Sequence, residues 1–299
     1  MSEKIKVPES ADLLAARIYL RPLKGERLQH RIPDWLGSAA QELFLRAAGL
    51  DGAELGALHD DNGRQRPYTA STLQPISLIK DRVWRMEKEY FLRFTTLNRK
   101  TSEALLRAIA PGGLLGEGAE VEFYRCAFRV SHVDLQQRRD AGWLDYNDIQ
   151  EHYADPRRQV EEFELRFASE TAFAIPGASG LSLPLPLASR VFGGLLRKWN
   201  RFCPPAARLE ALGEKDLEAA VALSAFELRS GLVKFEIDRT AYRETGVRRK
   251  GFKGRVIYKI YSDNEELKRA MNILADFTFF AGVGLETTRG MGQAHKHYA

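Results

Sequence analysis

An α+β fold of two tandem βαββαβ units is predicted by three observations. Segments that alternate apolar and polar residues lie between segments with apolar residues three to four apart, so strands and helices are interleaved. The order strand, helix, strand, strand, helix, strand occurs twice along 299 residues. A chain of that length suits two domains, at roughly 100–200 residues each. The order is that of the ferredoxin-like split βαβ unit, duplicated in topology and not in residues.

In the first unit, residues 14–22 (LAARIYLRP) read as a strand. Pro33 then opens a helix to about Ala48, its apolar residues Trp35, Leu36, Ala39, Ala40, Leu43 and Ala47 following helical spacing. Ser71–Lys80 reads as a strand, and Tyr90–Asn98 as a clearer one, with Tyr90, Leu92 and Phe94 on one face. Thr101 or Ser102 caps a helix ending before Pro111, and Ala119–Val130 reads as one long strand. In the second unit, Phe163, Leu165 and Phe167 alternate with Glu162, Glu164 and Arg166 between Glu161 and Phe173. A helix over Leu187–Phe202 is stopped by Pro204 and Pro205; Phe226–Asp238 and Phe252–Tyr261 read as strands. Asn264 caps a second helix, and the last strand is expected near Gly292–Tyr298. These readings place a first domain over residues 1–141, a polar linker over 142–158 and a second domain over 159–299.

Composition excludes several classes. The chain is 44% hydrophobic and 28% charged, ordinary for a globular protein. Two cysteines, Cys126 and Cys203, are too few for a disulfide scaffold or a four-cysteine zinc site. The start, MSEKIKVPESADLLAARIYL, lacks a signal-type apolar core, and no run approaches a spanning helix. A cytoplasmic protein is expected.

The net charge of +5 is unevenly placed. Residues 239–255 hold Arg239, Arg243, Arg248, Arg249, Lys250, Lys253 and Arg255 against Glu244 alone, a local +6. Residues 190–201 add Arg190, Arg197, Lys198 and Arg201 for +4, which leaves −5 for the rest. The first stretch reads as a basic hairpin whose charges repel one another unless an anion neutralises them. The second lies on a helix whose apolar stripe is Val191, Phe192, Leu195, Leu196, Trp199 and Phe202; a solvated face is the competing reading there. Near the end, AGVGLETTRGMGQ places Gly282, Gly284, Gly290 and Gly292 around Thr287, Thr288 and Arg289. Glycines let backbone N–H groups approach phosphate, with hydroxyl and guanidinium donors beside them. The loop is not a Walker loop, since no Gly-Lys-Ser/Thr follows; a tight connection between packed elements is the alternative.

Four stretches together resemble the CRISPR-associated repeat-processing endoribonucleases, the Cas-six family of the RAMP superfamily. They are LHDDNGRQRPYTAST (58–72), SRVFGGLLRKWNRF (189–202), the basic hairpin leaving through GFKGRVIY, and the terminal glycine loop. The resemblance implies two ferredoxin-like domains and metal-independent cleavage of precursor RNA within CRISPR repeats. The ribose 2′-OH attacks the adjacent phosphorus and the 5′-oxygen leaves, giving a 2′,3′-cyclic phosphate (or 3′-phosphate) and a 5′-OH. Such chemistry needs a proton acceptor, a proton donor and cations around the phosphorane. By the resemblance, His59 is the catalytic histidine and Arg66 stabilises the phosphorane. Some members place a tyrosine in the first helix, where this chain has Phe44; that role is unfilled or moved to Tyr68. His30 is the rival histidine. His295 and His297 stand two apart on the last strand with no third metal ligand in view.

RNA contacts are expected from Arg190, Arg197, Lys198, Arg239, Arg243, Arg248, Arg249, Lys250, Lys253 and Arg255, and from the glycine loop with Thr287, Thr288 and Arg289. No cofactor, metal or membrane is expected; the partners are precursor and mature CRISPR RNA and an effector complex, with monomer and homodimer both open. The alternative is a non-catalytic RNA-binding subunit of such a complex, in which His59 is incidental. A domain binding an anionic metabolite is disfavoured, because a small ligand does not need basic surface on two separate elements.

Overall fold

Among the described residues, two larger antiparallel sheets, each with helices on one face, and one short two-stranded sheet follow the alternation described above. The computed structural model describes residues 10–23, 32–33, 35–49, 65–75, 84–136, 141–178, 180–210, 212–235 and 248–297. The first unit comprises residues 1–144 with 288–290, and the second 145–287 with 291–299.

In the first unit, β1 (Leu13–Pro22) is central and pairs antiparallel with β3 (Tyr90–Thr96) and with β5 (Cys126–Asp134). The strand order is β2 (Tyr68–Ala70), β3, β1, β5, β4 (Glu120–Phe123), the ferredoxin-like arrangement with a hairpin at one edge. The helices α1 (Gly37–Ala47) and α2 (Arg99–Ile109) supply one face of the core. Strand parity sends Leu14, Ile18 and Leu20 to join Leu92, Phe94, Phe128 and Val130 from neighbouring strands, with Leu43, Phe44 and Leu105 from the helices above them.

Four elements differ from the sequence reading, each for a local reason. The long strand of residues 119–130 is a hairpin, turned at Tyr124 and Arg125 with φ of +43° and +64°. Without glycine or asparagine the turn left no signal. The helix expected from Pro33 starts at Gly37, because Thr72 Oγ1 accepts from the Leu36 amide at 3.0 Å and fixes the approach to the helix. Asn98, not Thr101 or Ser102, caps α2, accepting from the Thr101 amide at 2.9 Å. The strand expected over Ser71–Lys80 lies upstream, at Tyr68–Ala70; residues 76–83 are outside the described residues.

Residues 142–158 carry structure where an irregular linker was expected. Gly142–Leu144 forms β6 on β1, with Leu13 opposite Leu144, and Tyr146–His152 forms α3 in the second unit. In that unit the sheet order is β10 (Val221–Lys234), β11 (Arg248–Ile260), β7 (Glu162–Thr171), β12 (Ala294–His297), again ferredoxin-like. A short hairpin, β8 (Phe173–Ala174) with β9 (Ser182–Leu183), follows β7. The helices are α4 (Ala188–Phe202), α5 (Glu214–Ala220) and α6 (Glu265–Ala281), the last capped by Asn264 as expected. Val191, Phe192, Leu195, Leu196 and Trp199 are buried, so the apolar stripe read on α4 is its core face. Phe192 meets Tyr258 at 5.0 Å and Trp199 meets Phe277 at 5.1 Å, edge to face. Among the described residues no helix is long and apolar enough to cross a membrane.

Candidate functional site

The first unit gathers polar side chains around the start of α1 and the strand β2. Tyr68 is fully buried, its ring stacked on Phe44 at 4.4 Å. Its hydroxyl accepts from Arg66 Nη1 at 3.2 Å and from Gln41 Nε2 at 3.2 Å. Two donors on one oxygen fix the rotamer of each donor. Arg66 and Tyr68, both expected from the sequence, do meet. Gln41 is an addition, because an amide on the polar side of an amphipathic helix carries no motif.

Residues 288–290 fold with this unit. Gln41 Nε2 also donates to Thr288 Oγ1 at 3.1 Å, and the Trp35 indole N–H donates to the Arg289 carbonyl at 2.6 Å. Arg289 donates through Nη2 and Nε to Ser38 Oγ at 2.8 and 3.1 Å. Gly290 bridges to Ser71, with φ of +95° and room for no more than hydrogen at its α-carbon: a Cβ there would meet the Thr72 amide nitrogen at 2.7 Å. Thr288 and Arg289 are thus tied to the same helix as Gln41. The candidate histidine His59 and its rival His30 lie outside the described residues, as do Arg239 and Arg243.

Several expected RNA contacts have other work in the second unit. Lys198 Nζ donates to the Ala281 carbonyl at 2.7 Å and the Gly282 carbonyl at 3.4 Å, at the end of α6. It also reaches Thr287 Oγ1 at 3.3 Å, and Thr287 is itself buried. Burial pushes the Lys198 ammonium down to about 7. Both residues belong to the packing beneath the glycine loop. Gly282, Gly284 and Gly292 have positive φ, and a Cβ on Gly292 would stand 2.0 Å from the Val283 carbonyl oxygen. The loop approaches itself closely at Gly282 and Gly292 and approaches the Ala172 carbonyl at Gly284, so these glycines have a packing reason, the alternative left open from sequence.

The basic hairpin is also less bare than its sequence. Arg255 donates to Glu227 at 2.7 Å and lies 3.9 Å from Glu164, while Lys253 pairs with Glu170 at 3.1 Å. Counting charge along the chain missed these acids because they come from the neighbouring strands. Arg248 and Lys250 remain exposed at the far end of the β10–β11 ribbon, where Arg249 donates to the Gly180 carbonyl at 2.8 Å. On α4, Arg190, Arg197 and Arg201 are exposed opposite the core stripe. Partial burial lowers the Arg197 pKa, and repulsion from Arg190 adds to the fall; an anion between them relieves that repulsion. His295 and His297 lie on β12 opposite Arg166 and Glu164. Among the described residues no three His, Cys, Asp or Glu side chains could together hold a metal.

Residues 165–294 match the family described as CRISPR-associated endoribonuclease Cas6. No curated protein matches the chain. A Thermus thermophilus Cas6, solved as a product complex, is 23% identical with a TM-score of 0.72 over 96% of this chain and 100% of its own. A second Cas6 product complex is 23% identical, with a TM-score of 0.68 over 96% and 99% of the two chains. A Cas6-related protein from Pyrococcus furiosus is 13% identical, with a TM-score of 0.55 over 95% and 98%. At such identities the structural likeness is one of fold, and the sequence match falls on the carboxy-terminal domain. The sequence match thus covers the carboxy-terminal part of the chain, and the likeness in fold to Cas6 structures spans nearly all of it.

Proposed function

We propose that this protein cuts CRISPR precursor RNA within its repeats by attack of a ribose 2′-OH on the adjacent phosphorus, without a metal ion. The family match over residues 165–294 supports RNA processing, and likenesses in fold to Cas6 structures solved as product and substrate-mimic complexes agree with it. The observation that carries the chemistry is the convergence of Arg66 and Gln41 on the buried Tyr68 hydroxyl.

In this reading the 2′-oxygen forms a bond to phosphorus as the bond to the 5′-oxygen breaks. One proton leaves the 2′-OH and one arrives on the 5′-oxygen. His59, with an imidazole near neutrality when unperturbed, performs one of those transfers. Arg66 places its guanidinium against the non-bridging oxygens, where negative charge builds up in the phosphorane. Tyr68 has no exposed surface, so it acts through Arg66 as a positioning residue and not on the substrate. Arg190 and Arg197 on α4, with Arg248, Arg249 and Lys250 on the ribbon, hold the RNA backbone.

The test uses the cognate repeat RNA in EDTA, beside the same RNA with a 2′-deoxy sugar at the cleavage position. Cleavage of the first alone, abolished in His59→Ala with binding retained, is the expected result. Cleavage of both RNAs rules out 2′-OH attack. Binding with no cleavage of either identifies a non-catalytic subunit.

A further inference from the structure

Helix α4 carries a glycine for which the described residues give no packing reason. Gly194 lies in the interior of Ala188–Phe202, where glycine is disfavoured relative to alanine because it gives up the most backbone freedom. On Gly284 or Gly292 a Cβ would run into a carbonyl oxygen. On Gly194, apart from the helix's own backbone, it would find only the tip of the Arg197 side chain, 4.0 Å away. The helix is continuous through Gly194, so the glycine marks no break either. Its neighbours on that face are cations. Arg190, Gly194, Arg197 and Arg201 follow one another at spacings of four, three and four, which sets them on one face, opposite the buried stripe. No Asp or Glu occurs between Ala188 and Phe202, and among the described residues no carboxylate pairs with Arg190 or Arg201. Like charges one turn apart, as Arg197 and Arg201 are, disfavour a helix. The glycine and the arginines thus both work against α4 on the same exposed face.

We propose that Gly194 is the seat for one strand of the RNA backbone, with a phosphodiester against the bare helix and Arg190 and Arg197 on either side of it. The proposal rests on the reading of this protein as one that binds repeat RNA. Both unfavourable features then have one explanation. A phosphodiester is anionic and relieves the repulsion among the arginines. Arg190 and Arg197 are about 10 Å apart along the axis, seven residues at 1.5 Å each, and Gly194 is the position between them. With no side chain there, the phosphate comes down between the two guanidiniums and reaches both at once. Any side chain at that position lifts the backbone away. Lys198 takes no part, because the carbonyls of Ala281 and Gly282 hold its ammonium. A solvated face accounts for arginines on the outside of a helix, and it leaves the glycine without a reason.

Binding of the repeat RNA with a 2′-deoxy sugar at the cleavage position, titrated over a salt series, tests this beside thermal melts of each variant. Gly194→Ala should raise the melting temperature by about 1–3 °C, since only helix propensity is at stake in the free protein, and yet weaken RNA binding about threefold. Gly194→Gln, a good helix former, should weaken binding about tenfold or more and lower the slope of log affinity against log salt by about 1 to 2, although it removes no charge. In that background Arg197→Ala should have a much smaller effect on affinity than in wild type, because the phosphate has already left. A Gly194→Gln variant that binds as wild type does overturns the seat and leaves the proposed function standing. So do additive effects of Gly194→Gln and Arg197→Ala. A melting temperature that falls in Gly194→Ala also overturns it, since the glycine then serves packing within the chain. A wild type that binds no repeat RNA overturns both the seat and the proposed function.

Discussion

The Gln41 amide nitrogen and the Tyr68 hydroxyl lie 3.2 Å apart, joining α1 to β2. The same nitrogen is 3.1 Å from Thr288, so one side chain registers the helix, the strand and the tip of the carboxy-terminal loop. Replacement by leucine keeps the size and removes both donors. In the proposed reaction Gln41→Leu is expected to slow single-turnover cleavage about tenfold, while repeat-RNA affinity changes less than threefold. A loss of affinity with an unchanged rate at saturation would place Gln41 in RNA binding.

Tyr68→Phe separates a positioning role from a chemical one. The phenyl ring keeps the stack on Phe44, and only the acceptor for Arg66 and Gln41 is removed. A single hydrogen-bond acceptor of this kind contributes about 0.5–1.5 kcal/mol. The melting temperature should fall by a few degrees and the cleavage rate by about tenfold, with the pH–rate profile unmoved. A fall of ~100-fold or more, with one limb of that profile missing, would make Tyr68 a proton-transfer group.

The fold was legible where periodicity is long. Helix α4 begins within a residue of its expected start, and Asn264 caps α6 as expected, because both helices combine a strong apolar stripe with a clear stop or cap. The site was half legible. Arg66 and Tyr68 stand in one short motif, but Gln41 and Ser38 gain meaning only when residues 288–290 come to rest on α1. Charge was the least legible property. Lys253 and Arg255 look unpaired along the chain, and their partners Glu170 and Glu227 come from strands far away in sequence.

That pairing divides the basic hairpin into two classes with different salt behaviour. Arg248, Arg249 and Lys250 lie at the ribbon end, past the acids of the sheet. Changing all three to alanine is expected to reduce the slope of log affinity against log salt by about 2 to 3, near one for each phosphate no longer neutralised. Lys253→Ala with Arg255→Ala should change it by less than about 1, since Glu170 and Glu227 already neutralise those cations. Equal slopes for the two sets would mean that RNA displaces the carboxylates.

Lys198 makes a prediction about stability and pH. Its folded pKa is held near 7, below the value of about 10.4 expected when the chain unfolds. Between those values the unfolded chain binds more protons, so this group makes folding more favourable as pH rises. The cost of the buried charge is fully present below about pH 7. The stability of wild type minus that of Lys198→Met should therefore rise by about 1 kcal/mol per pH unit between pH 7.5 and 9. Denaturant titrations at matched ionic strength measure it. A flat difference would show that the carbonyls of Ala281 and Gly282 hold the ammonium charged throughout.

Gly37 tests whether the seating of residues 288–290 matters to catalysis. It opens α1 with an ordinary helical backbone, so alanine there is favoured by local propensity. Yet a Cβ at this position would stand 1.7 Å from the Arg289 carbonyl oxygen, the acceptor of the Trp35 indole. A backbone atom has no rotamer to escape through, so either the helix start or the loop tip must move. Displacing the tip pulls Thr288 from Gln41 and Arg289 from Ser38 while leaving the core of the first unit in place. Gly37→Ala is expected to lower the cleavage rate at least tenfold with a melting temperature within a few degrees of wild type. Ser38→Ala, which removes a single hydrogen-bonding partner of Arg289 and adds no bulk, should give a smaller fall in the same direction. If Gly37→Ala cleaves at the wild-type rate, the seating of Thr288 and Arg289 on α1 serves folding alone.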